Sequence, residues 1–85
     1  MSPARDQLRA GMLEVLRGIA PEIEADEIDD AQALRRQVDL DSMDWLNFLI
    51  GLNQRLGLRI EEADVARLAT LSDLLDYAQQ RLAAP

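Results

Sequence analysis

The chain of 85 residues has no cysteine and no histidine, and all nine of its basic residues are arginines, so lysine is missing too. Without cysteine there is no disulfide to hold the fold and no thiolate for metal binding or nucleophilic attack. Without histidine or lysine, a serine has no conventional in-chain base to take its proton, which excludes Ser-His and Ser-Lys hydrolase arrangements. A reactive hydroxyl here must be activated by another protein. No apolar run approaches the ~20 residues that a membrane span needs, and Met1-Ser2-Pro3-Ala4-Arg5-Asp6 lacks a basic start leading into an apolar stretch. The expectation is a soluble, cytoplasmic protein that does not insert into membranes.

Acid dominates what is present. Sixteen aspartates and glutamates against nine arginines give a formal charge of -7, a field that repels phosphate backbones and attracts basic protein surfaces. Nucleic acid is not an expected partner. The length suits a single domain over residues 1–85 with one small core, and is too short for an enzyme that encloses its substrate.

Apolar periodicity divides the chain into helices. Ser2-Pro3 reads as a helix start, and Leu8, Met12, Val15, Leu16 and Ile19 recur at helical spacing, which predicts an amphipathic helix from about Pro3 to Gly18. Ala20-Pro21 ends it. From Glu22 to Asp30 six acids occur without one base, a composition for a solvated loop pinned by Ile23 and Ile28 rather than a packed helix. The alternating carboxylates lack the glycine and the closing glutamate of a calcium loop, and no metal site is expected. Ala31 to Val38 suits a short turn or helix. A further short helix follows Glu61-Glu62-Ala63-Asp64, with Val65 and Leu68 inward. Thr70-Leu71-Ser72-Asp73 has a capping-box pattern and opens a last helix through Leu71, Leu74, Leu75, Ala78 and Leu82.

Between these lies the stretch that carries the chemistry. Leu40-Asp41-Ser42-Met43-Asp44 runs straight into Trp45-Leu46-Asn47-Phe48-Leu49-Ile50, and the helix it starts stops at Gly57. A serine at that junction has its hydroxyl at the positive end of a helix dipole, which favours a phosphate, although aspartate and serine are also the usual residues for capping a helix. Leu46, Leu49, Leu52 and Leu56 are expected to form the inward face, with Trp45 and Phe48 at its flank. Met43 and Ile50 fall about a third of a turn from Leu49, where neighbouring loops cover them or they form an exposed docking patch.

The chain resembles the acyl carrier proteins, the family in which a serine in an Asp-Ser-Leu motif at the start of the second helix carries 4'-phosphopantetheine. Here the motif stands as Asp41-Ser42-Met43. The long acid-rich first loop, the helix closing at Leu56-Gly57, the Ile60-Glu61-Glu62 approach to a short third helix and the Thr70-Leu71 start of the last helix also fall where the family has them. The resemblance implies an all-α, small four-helix bundle of three main helices and one short third helix, with a long first loop. It implies no catalytic residue in this chain.

A phosphopantetheinyl transferase with bound magnesium would attach the cofactor covalently to Ser42. The resulting thiol would carry acyl intermediates as thioesters between acyl-loading, acyl-transfer and condensing enzymes, in fatty-acid-like or specialised lipid or polyketide-type biosynthesis. Asp41 carries over as the acid before the attachment serine, and Met43, Asp44, Trp45 and Ile50 as partner-binding residues. Leu46 and Leu49 correspond to positions that in some carriers shelter an acyl chain, and with Val65 and Leu68 they are acyl-pocket candidates, although any small helical bundle needs such residues as plain core. Trp45 is either a flank of the core or a neighbour of the cofactor arm.

Departures from the family's pattern are informative. Asn47, Asn53 and Gln54 stand at exposed positions where acids are common, and Arg35 and Arg36 occupy acidic positions before the motif. Docking is therefore expected to lean on Met43, Trp45 and Ile50 more than on ion pairs, which contribute only ~0 to 1 kcal/mol each at a surface. An aminoacyl carrier of the D-alanyl type and a cofactor-free helical interaction module are the alternatives. A monomer is expected.

Overall fold

Leu8, Met12 and Leu16 lie along one side of a 3.6-residue spiral. The computed structural model, which describes residues 4–82, winds them into helix α1, Arg5–Ile19. Ser2 and Pro3, expected to open this helix, lie outside the described residues. The short helix α2 covers Leu34–Gln37, α3 covers Ser42–Leu56 and α4 covers Leu71–Arg81. A 3-10 turn, Ala25–Glu27, interrupts the acidic loop, and a 3-10 helix, Glu62–Arg67, takes the place expected for a short α-helix. The architecture is an all-helical bundle; a lone antiparallel bridge between Ala33 and Thr70 is the extended pairing among the described residues.

Helices α1 and α3 are close neighbours because two glycines let them be. A Cβ placed on Gly51 would stand 2.5 Å from Val15 Cγ1, and one on Gly11 2.8 Å from Leu56 Cδ2. The core between α1, α3 and α4 holds Met12, Leu16, Phe48, Leu52, Leu71 and Leu74 away from solvent. At about 1.5–3 kcal/mol per fully buried large apolar side chain, this cluster outweighs any one surface ion pair. The inward face of α3 is rotated from the expected one. Trp45, Phe48 and Leu52 are buried, Leu49 and Leu56 are half-buried, and Leu46 is exposed. Tryptophan and phenylalanine fill the space that the leucine count assigned to Leu46, their rings tilted with centroids 5.5 Å apart.

The loop from α1 to α3 is anchored by more than its isoleucines. Ile23 is buried and Ile28 half-buried, as expected. In addition Arg9 Nε donates to both Asp30 carboxylate oxygens, at 3.1 and 3.0 Å, and its Nη2 donates to the Ala25 carbonyl. Farther along, Leu34 N–H donates to the Ala69 carbonyl at 2.8 Å and Ser72 N–H to that of Asp30 at 3.0 Å. These bonds tie the loop to the start of α4 and fix where it delivers α3. At its other end α3 stops at Gly57, whose φ of 69° lies in the left-handed region that glycine adopts without steric cost.

Candidate functional site

Asp41 and Ser42 divide the work of starting α3. Asp41 is extended and is the N-cap, with Oδ1 accepting from the Asp44 N–H at 2.8 Å, while its carbonyl accepts from Trp45 N–H at 2.9 Å. Ser42 is therefore the first helical residue, and capping does not consume its hydroxyl. The side chain is exposed and makes no hydrogen bond to another described residue. The N–H groups of Ser42 and Met43, in the first turn, have no partner within the helix. They face solvent at the positive end of a helix dipole, which suits a covalently attached phosphodiester.

The remaining residues singled out in the sequence separate onto different faces of α3. Met43, Leu46 and Ile50 are 64, 49 and 47% exposed and line up at i, i+3 and i+7 as one apolar stripe running away from Ser42. Asp44, half-buried at the third helical position, complements the dipole. Trp45 stands about 200° around the helix from Met43 and is only 9% exposed, so it belongs to the core and lies off the stripe. Leu46 was expected inward and joins the stripe instead.

Two open grooves flank the 3-10 helix, and Val65 borders both. One, of about 300 Å³, is lined by Leu46, Leu49, Ile50, Ile60 and Val65 with Asn53 and Glu62 at its rim. The other, of about 420 Å³, is lined by Trp45, Val65 and Leu68, by Arg35 and Arg36, and by alanines 33, 66 and 69. Three of the four residues expected around an acyl chain thus meet in one groove, and Leu68 lies across Val65 in the other. Ile60 was missed as a groove residue; its place in an extended connector gave no periodicity to read.

The 3-10 helix has no fully buried side chain of its own and is held from behind by a polar cluster that also escaped sequence reasoning. Asp64 Oδ2 accepts from the Tyr77 hydroxyl at 2.9 Å and from Arg81 Nη2 at 3.2 Å, and Arg67 also pairs with Asp64. The Tyr77 oxygen accepts from Glu61 N–H at 3.2 Å, and the Arg81 guanidinium lies over the tyrosine ring, 4.7 Å from its centroid. The Tyr77 hydroxyl first, and then Arg67, hold the Asp64 carboxyl below its ordinary value of 3.8. Asp64 and Tyr77 are thirteen residues apart on different elements, so no local pattern linked them.

Among the described residues no cluster of acidic side chains is arranged to hold a metal ion, and no helix is long and apolar enough to cross a membrane.

Comparison with known proteins bears on this site. Residues 10–78 match the family described as phosphopantetheine attachment site. An acyl carrier protein of Acidothermus cellulolyticus is 22% identical over 77 residues, spanning 91% of this chain and 90% of the relative. A meromycolate extension acyl carrier protein of Mycolicibacterium smegmatis is 24% identical over 80 residues, 94% of this chain and 80% of the relative. An acyl carrier protein of Renibacterium salmoninarum is 27% identical over 77 residues, 87% of this chain and 90% of the relative.

Proposed function

The chain belongs to the acyl carrier proteins, the family of the phosphopantetheine attachment site, and from that premise we propose that the Ser42 hydroxyl is the point of attachment. The family's group is 4'-phosphopantetheine, covalently attached, and its members are carriers and not catalysts. Once bound, the group supplies a terminal thiol on which an acyl group rides as a thioester. A cofactor-free interaction module is no longer a reading of this chain.

The observation that carries the proposal is the division of labour at the head of α3. Asp41 caps the helix and leaves the Ser42 oxygen exposed and unengaged, beside two first-turn N–H groups. The chain's own contribution is presentation. Arg9, Ile23 and the Leu34 to Ala69 hydrogen bond hold the loop so that α3 starts at the surface. Fragmentation mass spectrometry after reaction with coenzyme A, magnesium and a broad-specificity transferase is expected to place the adduct on the peptide containing Ser42. An adduct on Ser72 contradicts the proposal.

The exposed stripe of Met43, Leu46 and Ile50 is the surface on which we expect enzymes to dock. From Met43 to Gly57 the charged residues are Asp44 and Arg55, and Arg55 is paired with Glu14 of α1. Apolar burial therefore has to supply the affinity. Replacing Ile50 by serine is expected to raise the transferase's KM several-fold at unchanged kcat, whereas an unchanged KM removes this face from the docking surface. The acyl groups we assign are lipid-type, supported by the relatives named for meromycolate extension and by the apolar groove of Leu46, Leu49, Ile60 and Val65.

A further inference from the structure

Among the described residues three of the nine arginines, Arg17, Arg35 and Arg36, have no carboxylate partner, and two of them stand side by side at one groove. Arg5, Arg9, Arg55, Arg59, Arg67 and Arg81 each lie against a carboxylate. Arg35 and Arg36 have no carboxylate partner among the described residues, despite a net charge of -7. Both line the groove of about 420 Å³ whose walls are Trp45, Val65, Leu68 and three alanines. Arg35 is also fixed in place. Its Nε and Nη2 both donate to the Leu40 carbonyl at 3.4 Å, and its guanidinium carbon is 6.0 Å from the centroid of the Trp45 ring.

These contacts bracket Ser42. Leu40 precedes it by two residues, and Trp45 follows it by three, a spacing that puts side chains on one helix face about 5–6 Å apart at Cβ. We propose that this groove is a cradle for the proximal part of the phosphopantetheine arm, with Arg35 and Arg36 facing its phosphodiester. The match is chemical: the arm begins with one delocalised negative charge and continues into a branched apolar pantoyl segment. The groove offers two uncompensated guanidiniums and then a tryptophan, a valine and a leucine. Arginine suits phosphate oxygens through its planar fork of donors, and the surrounding apolar walls reduce screening of the pair. Arg35 and Arg36 are positioning residues, setting where the arm rests when no enzyme holds it. The inference rests on Ser42 being the attachment point.

The test uses holo protein with a free thiol, checked by intact mass for one phosphopantetheine. In wild-type holo protein we expect nuclear Overhauser contacts between the single indole, Trp45, and the pantoyl methyl groups. The phosphorus-31 resonance should shift when salt is raised. Arg36→Gln, which breaks no hydrogen bond to the backbone, should weaken the contacts and Arg35→Gln/Arg36→Gln should abolish them, with the apo circular dichroism unchanged; Arg36→Lys should retain part of them. Three results overturn the cradle. They are the absence of contacts in protein whose mass shows the arm attached, contacts indifferent to the double substitution, and contacts that arise only after a cargo bearing its own carboxylate is loaded. A wild-type mass without phosphopantetheine overturns the Ser42 assignment itself, and the cradle with it.

Discussion

Ser42 can present a free oxygen only because its neighbour satisfies the helix end. The Asp41 carboxylate takes the Asp44 N–H, so the serine is displaced by one position from the cap into the first turn, exposed and unbonded. Replacing Asp41 by alanine should cost about 1 kcal/mol of stability, read as a lower denaturation midpoint. It should also slow arm transfer to Ser42, since the turn loses its fixed geometry; a loss of stability with an unchanged transfer rate would separate the cap from the presentation of the hydroxyl. The motif marked this site in the sequence, but both Asp and Ser are good caps. Which of the two capped was decided by the backbone, where Asp41 is extended and Ser42 helical.

Among the elements, α3 is both a wall of the core and the bearer of the exposed apolar stripe proposed for docking, and its rotation decides which residues do which. Against α1, Gly51 takes the close approach: a methyl there would stand 2.5 Å from Val15, whose β-branched side chain has little rotamer freedom. Gly51→Ala should therefore destabilise by about 1–3 kcal/mol. Gly11→Ala meets the flexible end of Leu56 and gains helix propensity, so it should be nearly neutral. Equal losses in thermal denaturation of the two variants would contradict this account of the α1–α3 contact.

The 3-10 helix depends on charge. Because the Tyr77 hydroxyl, Arg67 and Arg81 favour the ionised Asp64, the carboxyl's folded value is depressed. Its stabilisation is complete above the ordinary value of 3.8 and is lost as pH falls through the lowered one. Asp64→Asn should flatten the acid limb of the stability curve below pH 3.8, where the folded carboxyl takes up its proton, and speed amide exchange in Glu62–Arg67. An acid limb identical to wild type would assign the loss to other carboxylates. Long periodic helices, the Thr70 capping box and the Gly57 stop were legible in the chain. The rotation of α3 was not, because a count of leucines ignores that one tryptophan and one phenylalanine fill more volume than the leucine they displace.

At the scale of the whole molecule, the Cα radius of gyration is 12.0 Å, about that of an ordinary folded chain of this length. Such a body has room for one core, and the open grooves on either side of Val65 are the places proposed above for arm and cargo. The groove beside Arg35 escaped sequence reasoning, since Arg35, Trp45 and Leu68 meet only through the packing of three separate segments. The division of labour is then complete: the fold presents, and other proteins catalyse. Intact mass spectrometry of wild type and Ser42→Ala, each incubated with coenzyme A, magnesium and a transferase, tests that claim most directly. Wild type should gain one phosphopantetheine and Ser42→Ala none, with unchanged circular dichroism. A wild-type protein that gains nothing, or a folded Ser42→Ala that gains the group, would contradict it.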